Sequence, residues 1–176
     1  MVLAQQMGLA IAQKGERLIY GGGGLGLMGQ VARAAHEAGG AVTGIIPEFL
    51  SEAEKTLTVV EHHYVKTMHE RKMTMYEQAD AFIVLPGGIG TLEEAVEILS
   101  WSRLNLHSKP MVFLDNTGYW QPILKGFAHF IQEGFAPQTL AKDILHAQSA
   151  QEALALIDEK LASQDSKMPH RVIPET

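Results

Sequence analysis

Cysteine is absent from this chain of 176 residues, and its absence removes several kinds of chemistry at once. Without thiols there are no disulfides, no thiolate metal sites and no cysteine nucleophile. Long apolar runs are missing too, since no stretch reaches the 18 apolar residues that indicate a transmembrane helix. The opening residues lack the basic segment and the small-residue cleavage site of a signal peptide, so a cytoplasmic protein is expected.

Positive charge is also scarce. The chain has 14 Lys and Arg against 20 Asp and Glu, for a net charge of −6, and the cations form no block. Because neutralisation of phosphates by Lys and Arg supplies most of the affinity for DNA or RNA, no nucleic-acid partner is expected. A small phosphate-bearing ligand is compatible with this composition, since main-chain amides bind phosphate without a basic surface.

What the sequence does contain is an alternation of strand and helix patterns, with no internal repeat and no dividing linker. Residues 1–162 are expected to form one Rossmann-like domain, and residues 163–176, polar with two prolines, a flexible tail. The alternation predicts a doubly wound α/β fold, with a mostly parallel sheet and helices on both faces. The chain opens with a helix pattern where such folds usually open with a strand. Either the first strand is absent or the sequence starts late.

Two of the predicted strands are marked by their composition. Thr56 to His62 is rich in β-branched residues and predicts a strand. Ala81 to Leu85 is apolar throughout, which predicts a strand buried on both faces.

The strongest local motif is PGGIGTLEE, Pro86 to Glu94, which directly follows the apolar strand and opens a predicted helix. Glycines allow a ligand close to the backbone, and a helix N-terminus offers free N–H groups and the positive end of a dipole. Thr91 adds a hydroxyl donor or caps the helix. The motif therefore predicts a phosphate site. The alternative is a tight strand-to-helix turn with nothing bound.

A second glycine loop, Gly21 to Gly29, also follows a predicted strand and opens a helix. It is not a P-loop, because no Lys and no Ser or Thr ends it. The spacing of Gly24, Gly26 and Gly29 resembles a dinucleotide fingerprint. However, Pro47 stands where an acidic residue should close the next strand, so NAD is not expected. The alternative is that these glycines serve close packing and turn geometry.

Charged residues begin two of the predicted helices. Arg71 and Lys72 lie at a helix start, where cations oppose the dipole, so an anionic ligand is one explanation. Glu93, Glu94 and Glu97 lie on the helix after the PGG turn, and a carboxylate one turn into it projects near a ligand held at its start. Glu93 is also explained by complementation of the helix dipole. The histidines have no metal-ligand spacing.

Taken together, these segments resemble the LOG ("lonely guy") family closely. The resemblance covers roughly residues 1–160 in the same order. It rests on three motifs and on shorter matched segments, Gly118-Tyr119 among them. The three motifs are PGGxGTxxE, matched by Pro86–Glu94, YGGGxxGLMG, matched by Tyr20–Gly29, and an MHERK-like helix start, matched by Met68–Lys72.

The resemblance implies hydrolysis of cytokinin riboside 5′-monophosphates, such as N6-isopentenyl-AMP, to free base and ribose 5-phosphate, with no cofactor and no metal. By position, Arg71 and Glu94 match the family's catalytic pair. The same resemblance assigns nucleotide binding to Lys72 and to Gly88, Ile89, Gly90 and Thr91, and more loosely to Glu54 and Ser100. Gly87 of the PGG motif and Gly22 and Gly23 of the first loop are further candidates for binding substrate or phosphate, by their place in the two glycine loops. The resemblance also implies a homodimer or a larger homo-oligomer.

The sequence departs from the family pattern at its start. Relatives carry a first strand followed by a turn with small hydroxylated residues, which this sequence lacks, and a late start is the first explanation. Two other functions stay open: an AMP nucleosidase that ignores the N6 group, and a non-catalytic nucleotide or cofactor carrier such as the molybdenum-cofactor carriers. Many relatives have been labelled lysine decarboxylases, but nothing in the residues supports cofactor-dependent decarboxylation.

Overall fold

Helices and parallel strands alternate in the computed structural model, which describes residues 2–165. The strands are β1 (Leu18–Tyr20), β2 (Val42–Pro47), β3 (Glu61–Val65), β4 (Phe82–Val84), β5 (Met111–Leu114) and β6 (Ile144–Ala147). The helices are α1 (Val2–Gln13), α2 (Gly26–Glu37), α3 (Met68–Gln78), α4 (Ile89–Arg103), α5 (Gln121–Gln132), α6 (Leu140–Asp143) and α7 (Ala150–Asp165), with a 3-10 turn at Glu48–Leu50. The predicted α/β alternation is confirmed.

The strands form two parallel sheets of three, in the orders β1-β2-β3 and β4-β5-β6. Each sheet adds its strands outward in chain order, which is the doubly wound pattern. Within residues 2–165, β1 and β4 do not pair with each other. A cavity of about 480 Å³ lies between them, lined by both strands and by apolar side chains of α1 and α7. The predicted sheet is therefore present as two halves separated by this cavity, which we call the central slot.

The two faces of the sheets are covered by different helices, as β5 illustrates. Val112 and Leu114 pack in a cluster with side chains of α1, α2 and α7. Met111 and Phe113 pack in a second cluster with side chains of α4 and the buried Trp120. Because side chains alternate between the faces of a strand, four consecutive apolar residues join both layers of the core.

The strand β4 is less buried than its apolar sequence predicts. Val84 is buried, but Phe82 and Ile83 are only partly covered. The reason is that one edge of β4 borders the central slot instead of a neighbouring strand.

The prediction of a strand over Thr56 to His62 is wrong in its position. The strand β3 begins only at Glu61, which pairs with Thr43, and runs to Val65. Residues 57–60 form a turn, in which the Val60 N–H donates to the Leu57 carbonyl at 3.4 Å. Leu57 is buried beside α2, so its burial competes with an extended conformation and outweighs β propensity.

The chain's end differs slightly from the expected boundary. Helix α7 continues to Asp165 and so includes the first three residues of the predicted tail, while residues 166–176 lie outside the described part. No helix within residues 2–165 combines the length and hydrophobicity needed to cross a membrane.

Candidate active site

The site lies at the point where the strand order reverses. Sheet strands run outward from β1 on one side and from β4 on the other, so the carboxyl ends of these two strands flank the reversal. Gly21 follows β1 directly, and Pro86 lies shortly after β4. In open α/β sheets ligands bind in the crevice at this point. The loops that follow the two flanking strands run to opposite sides and leave a space between them.

Arg71 is fixed on the first turn of α3. The helix begins cleanly because the Thr67 hydroxyl accepts the Glu70 N–H at 3.1 Å, while the Glu70 carboxylate accepts the Lys66 N–H at 2.8 Å. The Arg71 side chain is only 12% exposed. It donates to the Ile45 carbonyl through Nε and to the Gly21 carbonyl through Nη2, both at 3.1 Å.

The third partner of Arg71 is Glu94, on the second turn of α4. Nη1 of Arg71 donates to Oε1 of Glu94 at 3.2 Å. A guanidinium has five N–H groups, so two remain for a ligand after these three bonds to described residues. Burial raises the pKa of Glu94 above its ordinary value, and the Arg71 charge lowers it in part. With its side chain 36% exposed, Glu94 is both desolvated and reachable.

Lys72 lies beside Arg71 in sequence but contacts different groups. Its Nζ donates to Glu93 at 2.8 Å and reaches Glu97 at 2.9 Å. The bonds to Glu93 and Glu97 raise the pKa of Lys72. Of the two predicted anion-binding cations, Arg71 is therefore held at the site, and Lys72 is held by two carboxylates of α4.

The PGG turn brings the predicted phosphate residues to the start of α4. Gly88 is the N-cap, and the Leu92 N–H is the first to donate back into the helix, to the Gly88 carbonyl at 3.1 Å. The amides of Ile89, Gly90 and Thr91 therefore precede the helical hydrogen-bond pattern. The backbone at Gly88 and Gly90 has open space where a side chain would stand, which leaves room for a ligand.

Close packing explains part of the first glycine loop. A Cβ on Gly21 would overlap the Arg71 guanidinium, so only glycine allows Arg71 to reach this carbonyl. The Gly22 carbonyl lies 3.3 Å from Nε2 of His62. Glu54 packs its carboxylate against Gly23, and its carbonyl accepts the Gly24 N–H at 2.9 Å. The structure thus brings Glu54 to the same loop as Gly22 and Gly23.

Ser100 is the predicted residue that the structure does not bring to the Arg71–Glu94 pair. Its hydroxyl is exposed and donates to the Val96 carbonyl of the same helix at 2.8 Å. Six residues along α4 separate it from Glu94, which corresponds to about 9 Å of helix rise.

Two features of the site were missed by sequence reasoning. The first is the pair of main-chain acceptors, Gly21 and Ile45, that fix Arg71, because no side-chain pattern announces a carbonyl. The second is Tyr119, whose hydroxyl donates to the Gly87 carbonyl at 2.7 Å. Gly118-Tyr119 is part of the pattern of matched segments, which was the available signal. Within residues 2–165, no group of three or more His, Asp or Glu residues could hold a metal ion.

A family model and curated relatives both match most of this chain. Residues 28–157 match a family model described as possible lysine decarboxylase. A cytokinin riboside 5′-monophosphate phosphoribohydrolase of Rhodococcoides fascians is 43% identical over 157 residues, covering 88% of this chain and 79% of that protein. The phosphoribohydrolase LOG of Oryza sativa subsp. japonica is 38% identical over 179 residues, covering 98% and 74%.

Among solved structures, the fold resembles a molybdenum cofactor carrier protein of Chlamydomonas reinhardtii, with a TM-score of 0.68 and 23% identity over 92% of this chain and 87% of that one. A molybdenum cofactor binding protein of Rippkaea orientalis gives a TM-score of 0.66 and 21% identity, covering 91% and 86%. At such identities the likeness concerns the Rossmann-type fold alone.

Proposed function

The chain belongs to the LOG family, to which its family model and its relatives assign it, and on that premise we propose that it hydrolyses N6-modified adenosine 5′-monophosphates at the N-glycosidic bond. The products are the free base and ribose 5-phosphate, and residues 1–162 act as one nucleotide-binding domain. The observation that carries the proposal is the Arg71–Glu94 pair, set between two glycine loops at the reversal of strand order.

The 5′-phosphate is proposed to bind at the start of α4. The amides of Gly88 to Thr91 and the positive end of the helix dipole suit a phosphate, and the open space at Gly88 and Gly90 admits it. Lys72 joins this contact by exchanging one of its two carboxylates for a phosphate oxygen. Gly22, Gly23 and Glu54 form the other wall of the proposed site, and Ser100 lies further along α4.

Glu94 is proposed to act on the sugar. As the C1′–N9 bond breaks, its electron pair leaves with the base and the sugar becomes oxocarbenium-like. A carboxylate beside C1′ stabilises that positive charge and accepts a proton from the attacking water. The base takes up one proton, so that one water is consumed overall. The partly desolvated Glu94 suits this role, because burial strengthens its interaction with developing charge.

Arg71 is proposed to orient both the carboxylate and the nucleotide. Its three bonds to Ile45, Gly21 and Glu94 fix the guanidinium, and its two remaining N–H groups suit phosphate or ribose oxygens. Binding energy from the remote phosphate then helps to orient the reacting sugar.

The Glu94 carboxylate also favours a hydrolase over a carrier on the same fold. Capture of a phosphate requires donors, and an anionic side chain at the same site opposes it unless it has another task. The description of the family model as possible lysine decarboxylase finds no counterpart in the names of the relatives, which support phosphoribohydrolysis.

The test is to incubate the purified protein separately with N6-isopentenyl-AMP, AMP and N6-isopentenyladenosine, and to follow the free base by chromatography. We expect isopentenyladenine from the first substrate well ahead of adenine from the second, and little base from the nucleoside that lacks the phosphate. The Glu94→Gln protein, prepared identically, controls for contaminating nucleosidases.

Equal rates with N6-isopentenyl-AMP and AMP would indicate that the protein is a general AMP nucleosidase. Base release that is equally fast from the nucleoside would contradict the role of the phosphate site. If no free base is released from any of the three substrates, hydrolysis is contradicted, and a non-catalytic nucleotide or cofactor carrier is favoured.

We also propose that the protein forms a homodimer or a larger homo-oligomer. Large apolar side chains are exposed on the described surface at Leu104, Leu106 and Phe135, and such groups are commonly covered by a partner. Light scattering on the assayed sample tests this, and a monomer mass at the assay concentration would contradict it.

A further inference from the structure

The turn after β5 is held by one buried carboxylate. Asp115 is 1% exposed and accepts the N–H groups of Thr117, Tyr119 and Trp120 at 2.7, 2.9 and 3.1 Å, together with the Thr117 hydroxyl at 3.0 Å. Four donors on one carboxylate fix the path of the chain through this turn, because a buried carboxylate left unsatisfied would be strongly destabilising.

The side chain of Tyr119 extends from this turn to the PGG loop. Its ring meets the buried Trp120 edge to face, with 5.1 Å between the ring centroids. Its hydroxyl donates to the Gly87 carbonyl at 2.7 Å. The ring is thus held from its backbone side by Asp115 and Trp120, and its hydroxyl end is the part that reaches the loop.

This hydrogen bond fixes the orientation of one peptide group. The Gly87–Gly88 peptide is trans, so its C=O and its N–H point in opposite directions from one plane. Holding the Gly87 carbonyl toward Tyr119 therefore turns the Gly88 N–H away from Tyr119. A glycine pair offers little resistance to rotation of this peptide by itself, because neither residue has a side chain that restricts its backbone.

We propose that Tyr119 is a positioning residue that holds the Gly87–Gly88 peptide with its N–H directed at the 5′-phosphate of the substrate. This inference deepens the proposed function and rests on it for the identity of the bound phosphate. Tyr119 acts through the loop, and the loop contacts the ligand. Without the hydroxyl, the peptide samples orientations in which its N–H is lost to the phosphate, and phosphate binding weakens.

The test uses Tyr119→Phe, which removes the hydroxyl and keeps the ring on Trp120. Tyr64→Phe is the matched control, since Tyr64 is exposed to nearly the same extent (51% against 50%) on β3. Two quantities are measured for each protein: the dissociation constant of ribose 5-phosphate by calorimetry, and KM and kcat for N6-isopentenyl-AMP.

For Tyr119→Phe we expect the dissociation constant of ribose 5-phosphate and KM to rise together by roughly two- to tenfold, the usual worth of one hydrogen bond. The value of kcat should change much less, and thermal unfolding should stay near that of the wild type. Tyr64→Phe should change none of these quantities. A variant that merely loosens the fold would lower the unfolding temperature and the active fraction without this selective loss of affinity.

The calorimetric measurement separates this inference from the proposed function, because it requires no turnover. If no base is released but ribose 5-phosphate binds and binds more weakly to Tyr119→Phe, the hydrolase proposal fails and the role of Tyr119 stands. Unchanged affinity and KM in Tyr119→Phe would overturn the inference, as would an absence of ribose 5-phosphate binding to the wild type.

Discussion

Two carboxylates lie at the same edge of the fold and differ in almost every other respect. Asp115 directly follows β5, is 1% exposed and accepts four hydrogen bonds from its own turn. Glu94 lies on the second turn of α4, the helix that follows β4. Its side chain is 36% exposed and accepts a hydrogen bond from the Arg71 guanidinium. One carboxylate is saturated with protein donors, and the other has oxygen left for a ligand.

Their pKa values are displaced in opposite directions for this reason. Burial would raise the pKa of Asp115, but the hydrogen bonds from Thr117, Trp120 and Tyr119 outweigh burial and hold that pKa well below its usual range. For Glu94 the effect of burial outweighs the opposing effect of the Arg71 charge, and the pKa of Glu94 is raised. Burial alone therefore does not distinguish a structural carboxylate from a reactive one. The number of donors on the carboxylate does.

The largest expected effect comes from Glu94→Gln. This change keeps the size of the side chain and removes the negative charge and the proton acceptor. We expect kcat for N6-isopentenyl-AMP to fall by about 10²- to 10⁴-fold, the usual contribution of general acid–base catalysis. Nucleotide binding should be largely retained, because the phosphate contacts lie on other residues. Chromatography of the free base and calorimetry with the nucleotide measure the two quantities.

A loss of nucleotide binding with a normal residual rate would reverse the assignment and make Glu94 a binding group. If Asp115→Asn reduced kcat as strongly as Glu94→Gln, the distinction between the two carboxylates would be lost.

Asp115→Asn should instead lower stability. The asparagine side chain has one acceptor oxygen and a donor amide, so it cannot satisfy all four donors of the turn. We expect the free energy of unfolding to decrease by about 1–3 kcal/mol at pH 7, with kcat per folded molecule nearly unchanged. Urea denaturation and active-fraction assays measure these effects, and an unaltered urea midpoint would show that the turn does not depend on the charge.

The dependence of stability on pH tests the depressed pKa of Asp115. The pKa of Asp115 is depressed in the folded protein, so its stabilisation is present above the unfolded value of about 4 and is lost as the pH falls below it. The stability difference between wild type and Asp115→Asn should therefore narrow on acidification through about pH 4. Urea titrations from pH 7 to pH 3 provide the measurement, and a gap that stays constant would contradict the depressed pKa.

The smallest effect concerns Glu94 in the free protein. Because its pKa is raised, its carboxyl should titrate above the ordinary glutamate value of about 4.3, and Asp115 should titrate below the ordinary aspartate value. Carbon-13 NMR of the two side-chain carboxyls follows both in one sample. Removing the opposing charge by Arg71→Gln should raise the Glu94 value further, and a decrease would contradict the ion pair.

The sequence predicts the elements better than it predicts their surroundings. The apolar run over β4 identifies a strand correctly, but its burial depends on what stands at its open edge, which no local pattern contains. The misplaced strand at Thr56 has a similar cause. Leu57 is buried against α2, and that contact joins segments that are distant in sequence.

The candidate site shows the same division. Helix starts and glycine loops are local features, so the expectation that Arg71, Glu94 and the PGG turn lie together can be formed from the sequence and the order of strands, and the structure brings them together. The bonds that orient them are not local. Arg71 is held by the Gly21 and Ile45 carbonyls, and Gly87 by Tyr119, each pair separated by more than 20 positions. Only the fold reveals such partners.

The central slot has a consequence for the exchange of backbone amide protons with solvent. In an ordinary open sheet the middle strands are the slowest to exchange their amide protons for deuterium, because both of their edges are paired. Here β1 and β4 each present an edge without a neighbouring strand among the described residues. Two helices that contact each other bridge the two halves. Helix α1 packs on β1, and helix α7 packs on β5 and β6. Within each half, the amide protons of the middle strand, β2 or β5, should therefore exchange most slowly, since that strand is paired on both edges.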